Sequence, residues 1–136
     1  MKYLQYENRL VRVTAADGNV FTGVAERLPS GRAEEGIRIG AHTLFESGIA
    51  KIECLPTYEE AVRTILPGRY RHFKGNEYEV LAIARHSETT EPMVVYRALY
   101  GEGGVWVRPA AMWNETVERD GKTFRRFTRV AEETSP

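Results

Sequence analysis

The sequence contains a single cysteine, Cys54, so no disulfide bond can form within the chain. It lies at the end of a strand pattern, and we expect a small buried hydrophobic residue there. His42, His72 and His86 are scattered without zinc-type spacing, so we expect no metal and no cofactor. Neither a signal peptide nor an apolar run of about 18 residues is recognised. These absences predict a soluble, cytoplasmic protein without a membrane partner.

Net charge is also absent, because 19 Lys and Arg residues balance 19 Asp and Glu residues. No overall field therefore attracts the chain to nucleic acid or to an anionic membrane. The balance is uneven, since residues 67–130 hold 11 basic and 8 acidic side chains, and nine of the basic ones are arginine. Guanidinium groups suit carboxylates, phosphates and base edges, although arginine is also common on solvated β-surfaces.

Alternating apolar and polar residues predict β-strands in the first part of the chain. One strand precedes the turn signal Asp17-Gly18, and the next contains Gly23, which indicates a bend or a close backbone approach. Three more short strands are predicted over residues 37–39, 44–45 and 49–52. Five short strands in about 45 residues predict a small, strongly bent barrel.

The period changes to that of a helix at Thr57. Thr57 and Glu60 have the spacing of a capping box, and Pro67-Gly68 ends the pattern. One apolar stripe is formed by Tyr58, Ala61, Val62, Ile65 and Leu66. We therefore predict a connecting helix over residues 57–66 that packs between two barrels.

Period two returns after this helix. Strands are predicted in GRYRHFKGNEYEVLAIARHS, with a turn at Gly75-Asn76, and on both sides of the loop Gly101–Gly104. A last strand in GKTFRRFTRV follows the Asp120-Gly121 turn. The predicted class is all-β, with barrels over residues 1–56 and 67–130, the helix between them and a loose tail over 131–136.

The first part of the chain resembles Sm-like domains. VRVTAADGNVFTGVAERL has their hydrophobic strand, Asp-Gly turn and strand with a central glycine. The resemblance implies a bent five-stranded barrel and, in many members, rings that bind RNA. The region that matches their RNA-contacting signature reads FESGIAKIE, where Glu46 replaces the expected basic residue. The resemblance therefore carries over the fold but not ring assembly or RNA binding.

The second part resembles the domain-of-unknown-function family 1653. The runs HFKG, ARHSET, VVY, LYG and WVRP follow one another almost unbroken, and FTRV matches the closing strand. The match covers Pro67–Val130 and implies an SH3-like barrel. It implies no reaction.

Aromatic, histidine and arginine residues gather at the strand ends of this second part. Residues of the same parity share a face of a strand, so we expect His86 on the face of Ala82 and Ala84, and Tyr96 on the face of Ala98. The three alanines would leave a shallow groove between larger groups. The candidate ligand-binding residues are Arg69, His72, Arg85, His86, Tyr96, Tyr100, Trp106 and Arg108.

Structural roles remain open for these residues. Tyr96 and Trp106 are typical packing residues of small barrels, and residues 86–88 suit a plain turn. Arg108 precedes a proline and would be extended there, where an ion pair with Glu79 or Glu102 is the alternative.

Aromatic rings with guanidinium groups suit a planar or anionic ligand, because a base stacks on the ring and a phosphate accepts from the arginine. We therefore predict a module that binds a small, nucleotide-like ligand on the C-terminal barrel, without catalytic residues. One alternative is an RNA-binding or protein-interaction adaptor that uses the Sm-like part. The other is a hydrolase or transferase for modified nucleosides that uses His86 and Glu88. RNA and a second copy of the chain are the further partners considered.

Overall fold

The computed structural model of the protein describes residues 2–29, 31 and 33–130. It is mostly β-sheet with a few short helices. The chain divides into two compact units. The first contains the residues up to Pro56 together with Ser87–Glu91, and the second contains Thr57–His86 and the residues from Pro92 onward. The predicted tail over 131–136 lies outside the described residues.

The first unit is a five-stranded antiparallel sheet. Its strands are β1 (Leu10–Ala15), β2 (Val20–Arg27), β3 (Gly36–Ile39), β4 (His42–Phe45) and β5 (Ile49–Cys54), with 3-10 turns at Leu4–Tyr6 and Glu46–Gly48. The order across the sheet is β4-β3-β2-β1-β5. All five strands predicted from periodicity are therefore present.

The turn and the close approach predicted for this sheet are both observed. Gly18 has a φ of 90°, and the backbone N–H of Ala15 donates to the oxygen of Asn19 across the turn. At Gly23, a Cβ would lie 2.8 Å from Cγ2 of Ile39 on β3, so any larger residue would force Ile39 to move. Cys54 is exposed, which corrects the expectation of a buried thiol.

A buried carboxylate is paired within the first unit. Glu91 is buried, and its Oε2 accepts from the Arg12 guanidinium at 3.0 Å. Thr90, which precedes it, has a φ of 64°, a conformation that is costly for a β-branched residue. The ion pair therefore holds a strained segment in place.

The connecting helix is shorter than predicted. The helix α1 spans Tyr58–Thr64, and the Thr57 hydroxyl accepts from the backbone N–H of Glu60 at 3.1 Å, which confirms the cap. Ala61 and Ile65 are buried in the core of the second unit. Two other residues of the predicted stripe, Val62 and Leu66, are exposed.

The second unit contains a five-stranded antiparallel sheet and a separate hairpin. The strands are β6 (Gly68–His72), β7 (Glu77–Arg85), β8 (Pro92–Ala98), β9 (Val105–Pro109), β10 (Thr116–Arg119), β11 (Lys122–Arg125) and β12 (Phe127–Arg129). The sheet order is β12-β6-β7-β8-β9, and β10 pairs with β11. A short helix, α2 (Ala110–Trp113), and β10 were not predicted, and the predicted last strand divides into β11 and β12.

Aromatic rings fill the core of the second unit. Trp113 and Phe127 stack with centroids 3.8 Å apart and parallel planes. Tyr70 and Tyr96 meet Trp113 edge-on at 5.4 Å and 5.1 Å. The helix α2 thus supplies the central ring of the core, and β12 supplies the ring stacked on it.

A register shift in the β7–β8 pair reverses the faces of β7. Val80 pairs with Tyr96, but the next paired residue is Ala82, which lies opposite Val95. Val80 and Ala98 are therefore buried on the core side, while Ala82 is exposed on the other side. The groove predicted from three alanines on one face does not form.

Candidate functional site

The aromatic residues predicted to line a ligand site lie in different environments. Tyr96 is only 8% exposed and belongs to the core, so it offers no surface to a ligand and is corrected to a packing residue. Trp106 is exposed on β9. Tyr100 is exposed, and its hydroxyl lies 2.8 Å from that of Tyr78. Burial, followed by the hydrogen bond to Tyr100, raises the pKa of Tyr78 to about 12.

The predicted arginines are also dispersed within the second unit. Arg69 forms an ion pair with Glu77 at 3.1 Å between Nε and Oε1. The guanidinium of Arg85 lies 3.8 Å from the ring centroid of Tyr58 on α1. His86, partly exposed, directly follows β7. These residues do not share one hollow.

Two of the predicted polar residues, His72 and Arg108, come close to one aromatic ring. Both face Phe127, with the His72 ring at 5.0 Å and the Arg108 guanidinium at 5.7 Å from its centroid. Burial, followed by the charges of Arg126 and Arg108, lowers the pKa of His72 below its usual 6.5. The imidazole is therefore neutral at pH 7.

A cavity of about 490 Å³ opens beside His72, between β6, β12 and the β10–β11 hairpin. We call it the arginine cleft, and it is lined by Arg71, His72, Phe73, Gly75, Phe124, Arg125, Thr128, Arg129 and Val130. The antiparallel pairing of β12 with β6 sets Thr128 opposite Arg71 and Phe127 opposite His72. Strand register therefore brings together residues more than 50 positions apart.

The lining of the arginine cleft is basic. It holds three guanidinium groups and, among the described residues, no carboxylate. Arg71 reaches Glu77 at 3.4 Å, but that carboxylate is shared with Arg69. Arg129 donates to the backbone oxygen of Pro67 at 3.2 Å, a neutral acceptor. For Arg125, no ion pair is found within the described part of the chain. The cleft therefore carries more positive charge than the described carboxylates neutralise.

A tight turn builds one end of the cleft. The N–H of Gly75 donates to the oxygen of His72 at 2.7 Å, and the positive φ of Gly75, 107°, closes the turn. The backbone N–H of Lys74 donates to Nδ1 of His72 at 3.2 Å, so the neutral ring carries its proton on Nε2. This turn also places the Phe73 ring in the lining.

The hairpin builds the opposite side of the cleft. Asp120 and Gly121 both have positive φ, 54° and 74°, as the tightest hairpin turns require. Pairing over Thr116–Arg119 and Lys122–Arg125 holds Phe124 and Arg125 next to each other, both exposed. The cleft therefore combines guanidinium donors with phenyl rings on two sides.

Sequence reasoning found only His72 of the residues that line this cleft. Half of the others lie in the stretch FRRFTR, which the periodicity predicts as part of one closing strand. Alternation of basic and aromatic residues in this stretch was a signal that could have pointed to a ligand surface. The sequence does not show where this stretch lies in the fold, because the break between β11 and β12 at Arg126 is not visible in the periodicity.

Comparisons with known proteins agree on the second unit. The family described as "Protein of unknown function (DUF1653)" matches residues 68–129. A solved structure, described as a protein belonging to DUF1653 from Bordetella bronchiseptica, is similar at 39% identity over 54% of this chain and 97% of that chain, with a TM-score of 0.48. Curated protein sequences gave no match.

Proposed function

Because the chain belongs to the DUF1653 family, whose description names no activity, we propose its function from the arginine cleft. The second unit binds a small planar anion of the nucleotide class in this cleft. The observation that carries the proposal is a lining of three arginines and two phenylalanines, with no carboxylate among the described residues.

The anionic part of the ligand is held by Arg125 and Arg129. Neither is engaged by a described carboxylate, so their donors are available without breaking an ion pair. A guanidinium fork gives two parallel donors to a phosphate or carboxylate, and such bonds are about twice as strong as neutral ones. The Thr128 hydroxyl lies in the same lining and adds a donor or acceptor.

The planar part of the ligand stacks on phenyl rings. Phe124 is 41% exposed, which is unusual for phenylalanine and leaves a ring face open to the cleft. Phe73 lines the other end of the same cavity. Stacking of a base on an aromatic side chain contributes about 1–3 kcal/mol and tolerates any base. The two rings therefore favour a nucleotide over a simple inorganic anion.

We also propose that each unit is a small closed barrel, the first of the Sm-like kind and the second SH3-like. The order β4-β3-β2-β1-β5, preceded by a short 3-10 turn, supports the first assignment. We do not extend RNA binding to this unit. Glu46 stands where Sm-like domains carry a basic residue, and it forms an ion pair with Lys2.

The cleft is tested by titrating three probes into the full chain: adenosine monophosphate, adenosine and inorganic phosphate. Calorimetry and amide chemical-shift mapping report binding. We expect the nucleotide to bind and to shift amides of residues 71–75 and 124–129. Adenosine lacks the anionic group and inorganic phosphate lacks the planar base. We therefore expect each of them to bind at least about tenfold more weakly than the nucleotide.

Two exposed residues of the hairpin supply matched variants. Arg125→Gln should weaken nucleotide binding about tenfold, because one charge-assisted contact is lost. Arg119→Gln removes the same charge from the same hairpin outside the cleft and should leave affinity unchanged. Equal binding of all three probes would show that the cleft does not recognise an anion and a plane together, and equal loss in both variants would show a general charge effect. Either result would refute the proposal.

A further inference from the structure

The edge strand β9 exposes three consecutive large apolar side chains. Val105, Trp106 and Val107 are 59%, 61% and 60% exposed, so both faces of the strand are open to solvent. Within the described chain, β9 pairs only with β8 and ends the sheet. Long apolar edges attract another strand, and soluble proteins usually protect them with charge.

Three other edge strands in the described part of the chain carry exposed polar or charged side chains. Lys51 is exposed on the edge strand β5 and pairs with Glu53. The edge strand β12 is three residues long and exposes Thr128 and Arg129. The edge strand β4 exposes His42 and Thr43, with a single exposed apolar residue at Phe45. The apolar run on β9 is therefore a local exception and not a general property of the sheets.

Among the described residues, no strand pairs with the outward backbone groups of β9, which occur at regular positions. The N–H of Ala98 donates to the oxygen of Gly104 at 3.0 Å, just before β9. Hydrogen-bonded pairs alternate along an antiparallel ladder, so the backbone of Trp106 and Arg108 faces β8. The N–H and C=O groups of Val105 and Val107 then point away from the sheet, toward a further strand.

We propose that β9 is an interface between two copies of this chain, which pair antiparallel about a two-fold axis at Trp106. In this register Val105 lies opposite Val107 of the second copy. By symmetry, Val107 lies opposite Val105 of the second copy. The outward groups of the four valines meet and form four backbone hydrogen bonds. Trp106 meets Trp106 of the second copy as the close, non-hydrogen-bonded pair of the ladder.

Neighbouring residues select this register. A shift of two residues in one direction would set Val105 opposite Pro109, which has no N–H. A shift the other way would set Val107 opposite Gly103, which lies outside β9. At the axis on Trp106, Arg108 lies opposite Gly104 of the second copy, so the two arginines are at opposite ends.

The interface is small, because a ladder of about three residues with its side chains falls below the size of stable complexes. We therefore expect reversible dimerisation in the micromolar to millimolar range. The two-fold pairing covers the β9 edge of both copies, so the assembly does not grow beyond a dimer. It does not involve the arginine cleft and is independent of the proposed function.

Sedimentation of the full chain over a concentration series up to about 1 mM tests the proposal. We expect a monomer–dimer equilibrium, with the tryptophan emission of the chain shifting to the blue as Trp106 is covered in the dimer. Val107→Lys places two like charges in the ladder and should raise the dimer Kd at least about tenfold. Trp106→Gln should also raise it.

Val20→Lys is the matched control, because Val20 is an equally exposed strand valine, at 56%, in the first unit. It should leave the dimer Kd unchanged. A monomer at every concentration would overturn the proposal. So would assemblies larger than two, or a dimer that Val107→Lys leaves intact or that Val20→Lys disrupts equally.

Discussion

Replacing Trp113 with phenylalanine should change the stability of the second unit very little, although Trp113 is at the centre of its core. The indole is 1% exposed and stacks on Phe127. Its Nε1 is buried and has no hydrogen-bond acceptor among the described residues. The substitution therefore removes an unfavourable group together with favourable packing.

The opposing free energies are similar in size. Phenylalanine keeps the stack but leaves a space of roughly 40 Å³, which costs about 1 kcal/mol. The smaller apolar surface costs about 1 kcal/mol more. Removing a buried, unpaired N–H returns about 1–3 kcal/mol. We therefore expect Trp113→Phe to lie within about 1 kcal/mol of the wild type, whereas Trp113→Ala should lose about 3–5 kcal/mol.

Urea unfolding followed by far-ultraviolet circular dichroism measures both variants against the wild type. This signal comes mainly from the peptide backbone, and equal slopes against urea would show that the same surface is exposed. A loss above about 2 kcal/mol in Trp113→Phe would refute the reasoning. It would mean that the indole N–H is satisfied in the folded protein.

Three further predictions concern other parts of the molecule. Arg12→Leu leaves the buried Glu91 carboxylate without its cation and should destabilise the protein by about 2–4 kcal/mol in urea unfolding. Adding Glu91→Leu should recover much of this loss, and additive losses in the double variant would exclude a coupled pair. Gly23→Ala should cost about 1–3 kcal/mol, because its Cβ meets Ile39, and an unchanged midpoint would contradict that contact. The pKa of His72 is lowered in the folded state, so unfolding binds a proton and stability should fall as pH drops through 6.5. His72→Gln should flatten this dependence in unfolding measured at pH 5 and pH 7, and an equally steep profile would contradict it.

Local signals predicted the elements whose cause is local. The Thr57 cap and the Asp17-Gly18 turn were both predicted, because a cap and a turn depend on a few adjacent residues. The first two strands of the first unit followed from alternation, and the other three from short apolar segments separated by turn signals. Where a strand is irregular, as at the Val80–Ala82 shift, alternation fails, and every face assignment beyond that point on β7 is inverted.

The candidate site could not be assembled from sequence alone. Tyr96 lies directly opposite Trp106 in the β8–β9 pairing, yet Tyr96 is buried and Trp106 is exposed. Exposure depends on what covers each strand, and the aromatic core extends over β8 but not over the edge. The arginine cleft depends likewise on the pairing of β12 with β6.

The sequence by itself determined that this is a chain of short β-strands with one capped helix, and that its C-terminal part is of the DUF1653 kind. These properties depend on periodicity, turn chemistry and a continuous run of matching residues, all of which are local along the chain. Only the tertiary structure decided which aromatic rings are buried and which arginines meet in one cleft. Those outcomes depend on strand register and sheet edges, where residues far apart in sequence are brought within a few ångströms of each other.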